Sequence, residues 1–290
     1  MLSPRKTPFE YIKQSVENEG YLPTELIARL PKHWRRIGTV GIIELHTSLW
    51  PWKEKIGQNY LSGISELSTI MQKVGVTTTT IRTPGYEVLA GNPDTVTLHK
   101  ELGCKFWIDA LRLTFSTGNH AERQRLIKIT TEGEQIIDMF ACVGNLSVPI
   151  SVHHPTVEVK GVEINSYAYS FLEKNIQVNH LKERYQPIFG DNQTHTPINW
   201  ADRVLMGYFE LTPRQLEVAL QALKQDQGGI VHTHGLTTAR QPFNWRQTIE
   251  KLILEKFPYF QLKDTKQRVI KSIAPGVHHF VDDIHIIRKN

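Results

Sequence analysis

Three carboxylates stand where a nucleoside could be gripped. Asp138 closes the apolar run Ile136-Ile137, and a turn of small residues, Phe140-Ala141-Cys142-Val143-Gly144, leads to a helix start at Asn145-Leu146-Ser147. Glu163 closes the next apolar run, and Asp191 with Asn192 closes the one after that. Read as strand ends in an open α/β sheet, these positions lie where ligands bind. A carboxylate at Glu163 can accept both hydroxyls of a ribose, as the acid past the glycines does in dinucleotide enzymes. Asp191 suits an amino donor such as that of adenine. Gly144 lets backbone approach a ligand without a Cβ clash. The turn holds only one of the glycines of G-x-G-x-x-G, and no G-x-x-x-x-G-K-[ST] occurs, so neither a dinucleotide nor a triphosphate is expected. Asp-x-x-x-x-x-Gly followed by a second acidic strand end fits S-adenosylmethionine better.

Other side chains invite chemistry and are set aside. His153-His154, His232-x-His234 and His278-His279 have no Cys or carboxylate at ligand spacing, so no metal is expected. His232 and His234 alternate on a strand, face one side of a sheet and could edge a pocket. No Gly-x-Ser-x-Gly elbow is present, which argues against a serine nucleophile. Cys142 reads as a small packing residue in the turn.

The elements that would position these residues alternate strand and helix from about residue 116 onward. Strands are expected at Gln135–Met139, Glu158–Val162, Tyr185–Phe189, Arg203–Met206 and Gly229–Thr233. Helices are expected at Asn145–His153, Ser166–Asn179, Pro213–Leu223 and Trp245–Phe257. Asn165 and Thr212 serve as caps and Pro213 stands at a first helical position. Lys263–Ala274 and Val277–Arg288 make a closing pair of strands. Such alternation argues a doubly wound parallel sheet. Before it, residues 1–115 read as an α+β domain. Short helices are expected at Phe9–Glu17 and after Pro23, and a strand at Thr39–Leu45. A helix of about five turns is expected over Trp52–Val74, from its apolar spacing. Strands follow at Thr77–Ile81, Glu87–Leu89, Thr95–His99 and Cys104–Ile108. Asn119 is read as the N-cap of the helix entering the second domain, 116–290. The fold class is thus α/β, a Rossmann-like class I methyltransferase sheet behind an N-terminal α+β domain.

The totals agree with an enzyme that handles nucleic acid without demanding one. Net charge is +5 from 34 basic and 29 acidic residues, and 40% of residues are hydrophobic. Pro31-Lys32-His33-Trp34-Arg35-Arg36 is a basic-aromatic cluster, either a solvated turn around one packed Trp or a phosphate contact. Two cysteines far apart, Cys104 and Cys142, suit a reduced, cytoplasmic protein. There is no apolar run of membrane-spanning length and no signal pattern, so no membrane is expected.

Several segments together carry a family resemblance. They are Phe115-Ser116 with Asn119, Glu122 and Arg123; Asp138-Met139-Phe140-Ala141 with Gly144; Val162-Glu163 with Asn165; and Gly190-Asp191-Asn192. To these add Ala201-Asp202-Arg203-Val204-Leu205-Met206-Gly207-Tyr208, His232-Thr233-His234 and Ala274-Pro275-Gly276-Val277-His278-His279. From about Pro31 onward the chain resembles the wybutosine-synthesizing aminocarboxypropyl transferases, close relatives of the tRNA guanine-37 N1-methyltransferases. The methyltransferases typically show Asn-Leu-Pro where Gly207-Tyr208-Phe209 stands, and an Arg where Thr117-Gly118 stands; both departures favour the aminocarboxypropyl branch. Family members usually have Gly in place of Cys142 and Pro in place of Thr117. The resemblance implies S-adenosylmethionine as cofactor and tRNA, tRNA(Phe) above all, as partner. It implies cofactor contacts from Ser116, Arg123, Asp138, Phe140, Ala141, Gly144, Glu163, Ile164, Asp191 and Asn192. Asn119 and Asp202 would be catalytic, and Glu122, Gly207, Tyr208, His232 and His234 would meet the substrate. Arg123 and Arg125 would also reach tRNA phosphates. Methyl transfer on the same fold, or a non-catalytic tRNA-binding relative, are the alternatives.

Overall fold

The computed structural model describes residues 6–75, 84–238 and 245–289; the Thr77–Ile81 run lies outside them. The chain divides into two compact units, Met1–Lys100 with Phe106–Thr117, and Glu101–Lys105 with Gly118–Asn290.

In the first unit, helix α1 (Pro8–Glu19) starts on a capping box in which Thr7 and Glu10 bond each other's backbone. Helix α2 (Thr24–Ile27) follows, then strands β1 (Arg35–Ile37) and β2 (Val40–Ile43), helix α3 (Lys53–Gly63), and strands β3 (Thr69–Lys73) and β4 (Tyr86–Gly91). The four strands form one sheet in the order β1-β2-β3-β4, with β2 and β3 parallel. Its core includes Ile12, Val16, Leu49, Ile56, Tyr60 and Ile70. Here the expected five-turn helix is corrected. Helix α3 ends at Gly63, and Thr69–Lys73 is a strand with its first four residues buried. Gly63 sits so close to α1 that a Cβ there would meet Ile12 Cγ1 at 2.5 Å. The apolar spacing runs on past this break, because Ile70 and Met71 serve a buried strand instead. A hairpin of β5 (Val96–Glu101) and β6 (Cys104–Asp109) follows, of which Glu101–Lys105 belong to the second unit.

The second unit opens with α4 (His120–Ile129), β7 (Gln135–Asp138), α5 (Ser147–His153), β8 (Glu158–Glu163), α6 (Ser166–Val178) and β9 (Tyr185–Phe189). It continues with α7 (Asn192–His195), β10 (Arg203–Met206), α8 (Pro213–Ala222), β11 (Gly228–Thr238), α9 (Trp245–Lys256), β12 (Phe260–Ala274) and β13 (Val277–Arg288). Seven strands make one sheet in the order β12-β13-β11-β10-β7-β8-β9. Strands β7 to β11 are mutually parallel where they pair, and β13 runs antiparallel to both β11 and β12. Strand order reverses between β10 and β7, where a ligand crevice opens at the carboxyl ends. One core of this unit joins Ile137, Val204, Leu216, Leu220, Ile249 and Ile284. Among the described residues no helix is long and apolar enough to cross a membrane.

Candidate functional site

The turn after β7 is built by its own polar groups. Asp138 is buried, and its carboxylate accepts from Phe140 N at 3.2 Å and from Ser147 Oγ at 2.7 Å. Ser147 Oγ also lies 2.7 Å from Tyr185 Oη. Burial pushes the Asp138 carboxyl up to about 6. Asp138 therefore shapes the loop from within rather than standing open to a ligand. Gly144 takes φ +89, and a Cβ there would strike Val148 at 2.3 Å. Ala141 is fully buried and bonds Val162 O at 3.0 Å. Cys142 holds φ +51, the left-handed region that favours glycine.

Glu163 turns its carboxylate to this loop. One oxygen accepts from Cys142 N at 2.7 Å and the other from Asn165 N at 2.7 Å. Burial, set against these backbone donors, leaves the group raised above an ordinary glutamate. Ile164 N adds a third backbone donor to the carboxylate, and the acceptor capacity that remains is what a ribose hydroxyl would meet. Ile164, beside it, is 49% exposed at the rim. Asp191 caps α7, accepting from Gln193 N at 2.9 Å. Asn192 donates to Met139 O at 3.0 Å, while its buried Oδ1 has no partner. An orphaned acceptor at the strand ends suits an N–H donor such as an exocyclic amine. Past β10, Gly207 is exposed and Tyr208 stacks on Phe140, with ring centroids 5.1 Å apart and planes within 6°. The structure thus brings Phe140, Ala141, Gly144, Glu163, Ile164, Asp191, Asn192, Gly207 and Tyr208 to one edge of the sheet. The donor set fits an adenosine-bearing cofactor.

Other expected residues lie elsewhere. Asp202 precedes β10 and so sits on the opposite, amino-terminal edge, taking Lys224 Nζ at 2.8 Å and Gln135 N at 2.8 Å. A catalytic role there is corrected by strand direction: the motif is right, but its acid enters the strand at the far end. Arg123 is 1% exposed and grips Glu101 with two bonds of 2.7 and 2.9 Å. Arg125 reaches Glu122 at 2.6 Å and Asp283 at 2.8 Å. Arg123 and Glu122 are buried in ion pairs, which corrects the expected contact of Arg123 with phosphates, while Arg125, partly exposed, is shared by two carboxylates. Ser116 belongs to the first unit. Asn119 precedes α4 without a side-chain cap and accepts from Lys271 Nζ at 2.7 Å instead.

His232 and His234 share a face, as their alternation requires, but that face is interior. His232 lies between Arg203 Nη1 at 2.6 Å and Asp283 at 2.6 Å. Its Nε2 must accept from the guanidinium, so its Nδ1–H donates to the carboxylate and the ring is neutral. Burial accordingly pushes His232 down to about 4. Burial raises the Asp283 carboxyl, but the hydrogen bond from His232, the charge of Arg125 and the hydrogen bond from Arg268 outweigh it and hold the group low. His234 Nδ1 lies 3.0 Å from His279 Nε2. Among the described residues no three His, Cys, Asp or Glu form a metal-sized group. Sequence reasoning missed Ser147, Tyr185, Lys271 and Asp283; nothing local marks them, because their partners lie on other elements.

Comparison with known proteins follows the same lines. Residues 97–256 match the TRM5/TYW2 methyltransferase domain, and residues 12–95 match the TYW2 N-terminal domain. The chain is 35% identical over 271 residues to the tRNA(Phe) (4-demethylwyosine(37)-C(7)) aminocarboxypropyltransferase of Pyrococcus horikoshii, covering 92% of this chain and 94% of that one. Among solved structures, Pyrococcus horikoshii TYW2 in complex with MeSAdo superposes with a TM-score of 0.83 at 33% identity, over 97% of this chain and 100% of that one. Trm5b from Pyrococcus abyssi superposes with a TM-score of 0.80 at 27% identity, over 98% and 82%.

Proposed function

The chain belongs to the TRM5/TYW2 family, and on that premise we propose that it transfers the 3-amino-3-carboxypropyl group of S-adenosylmethionine to carbon 7 of 4-demethylwyosine at position 37 of tRNA(Phe). It is an S-adenosylmethionine-dependent transferase of tRNA modification, in the wybutosine pathway, working in the cytoplasm. When bound, S-adenosylmethionine supplies a carbon already activated by its sulfonium, and methylthioadenosine is the leaving fragment. The protein's part is therefore placement, which can contribute about 7–11 kcal/mol to a barrier.

Each residue at the carboxyl edge has a share in that placement. Glu163 holds a vicinal diol with the lone pairs its backbone donors leave open. Asp191 and the orphaned Asn192 Oδ1 receive an amine. The close backbone at Gly144 and the buried Ala141 leave the cofactor turn compact. Gly207 and Tyr208 border the acceptor.

The observation that carries this reading over methyl transfer is the Tyr208–Phe140 stack. An aromatic wall stands where the N1-methyltransferases typically present Asn-Leu-Pro, so the amide side chain of that motif has no counterpart here. The test is mass spectrometry of the nucleoside product, with S-adenosylmethionine and tRNA(Phe) carrying the tricyclic precursor. In parallel, the same protein is given tRNA with unmodified guanosine-37. An aminocarboxypropyl mass gain with methylthioadenosine released is the expected result. A methyl gain with S-adenosylhomocysteine would overturn it.

A further inference from the structure

Three strands overhang the carboxyl edge. β10 ends at Met206, whose partner on β11 is Thr233, yet β11 runs on to Thr238 paired with Val277 of β13. The overhang is a wall beside the cofactor turn. His234 and His279 stand on one face of it, His279 directly opposite Leu236 and Lys271. They are 2% and 0% exposed. Their inner nitrogens share one bond of 3.0 Å, while the outer ones, His234 Nε2 and His279 Nδ1, are buried and have no partner. The ring of Phe209, just past the end of β10, meets His279 edge-on at 4.8 Å between centroids. On the same side, Lys271 is anchored by Asn119.

Two neutral imidazoles joined by one hydrogen bond have a fixed logic. Whichever ring donates, one outer nitrogen is a bare lone pair and the other carries a hydrogen. A proton received at one end can shift the shared hydrogen and leave at the other. Burial keeps both rings neutral at physiological pH, pushing His279 down to about 4 and His234 well below its ordinary range. A carbon acceptor needs such a group. Its π pair forms the new C–C bond, the C–S pair departs with methylthioadenosine, and the C–H pair must return to the ring as the proton leaves. A ring protonated by carbon attack is strongly acidic, so a weak, neutral base suffices.

We propose that the His234–His279 pair is the proton acceptor for the acceptor carbon, with Phe209 as the cover that gives way when the base enters. This rests on the carbon-transfer reading above. The test uses His234→Asn and His279→Gln. Each keeps the atom that makes the inner bond and deletes the outer nitrogen. The substrate is tRNA(Phe) with hydrogen or deuterium on carbon 7 of the precursor. The expected result is a single-turnover rate lower by about 10²-fold, with a deuterium isotope effect larger than in the unaltered protein. Methylthioadenosine affinity by calorimetry and the melting temperature stay unchanged. In 15N-histidine spectra of the unaltered protein, the His234 and His279 nitrogens shift when precursor tRNA joins the methylthioadenosine complex. Unchanged rate and isotope effect would overturn the assignment, as would a rate loss that tracks weakened cofactor affinity or a lower melting temperature. If instead the unaltered protein methylates its tRNA, the carbon-transfer reading itself has failed, and the product mass says so.

Discussion

Glu163 illustrates how one carboxylate serves both loop and ligand. Its two oxygens each take a backbone N–H at 2.7 Å, so Glu163→Gln would set an amide NH2 against one of those donors. A lost bond to a charged group costs about 1.5–3 kcal/mol, so methylthioadenosine affinity should fall by about 10–100-fold in calorimetry. A change under about threefold would remove Glu163 from the cofactor's grip. Asp138 gives a pH signature. Its folded carboxyl titrates at about 6 because of burial, against about 3.9 in an unfolded chain. Between those values the folded state binds more protons, so Asp138 adds stability as pH falls, with a slope of about 1.4 kcal/mol per pH unit. The Asp138→Asn variant lacks that slope. Urea denaturation should show the stability gap between the unaltered protein and this variant widening in favour of the unaltered protein from pH 6 to pH 4; parallel curves would mean the acid is ionised throughout.

At the scale of elements, the alternation of the second unit was legible because its boundaries carry local chemistry. Thr212 and Gln215 form a capping box and Asn165 accepts from Tyr167 N, and both signals sit within a single helical turn of sequence. The helix expected through Val74 failed for a physical reason. An apolar spacing cannot distinguish a continuing helix from a buried strand, and the close pass of Gly63 against Ile12 of another helix leaves no mark in that spacing. The candidate site divides the same way. The strand-end positions of Glu163, Asp191 and the Phe140–Gly144 turn were readable, since strand ends follow from strand patterns. Asp202 was misplaced because a motif shows adjacency but not which end of a strand meets the ligand. That His232 and His234 share a face follows from alternation; that the face is interior depends on Asp283, Arg203 and Arg125, which no local pattern announces.

At the scale of the whole molecule, charge and connectivity matter more than any contact. With a net charge of +5, tRNA binding should weaken with salt, log K falling linearly against log salt as phosphates exchange counterions for basic side chains. A flat dependence in filter binding would mean the tRNA is held by base contacts and shape instead. The sheet's connectivity also bears on how the chain is made. β13, the last strand in sequence, lies between β11 and β12 and pairs with both. As the chain leaves the ribosome, β7, β8 and β9 can join early, but β11 keeps one edge open until Arg288 has emerged. Eleven residues of unpaired strand then wait for a partner made about 50 residues later, and such an edge recruits other chains. Synthesis that stalls between β12 and β13 would leave an adhesive intermediate, so in this fold the strand that builds the histidine wall is also the one that ends the window for misassembly.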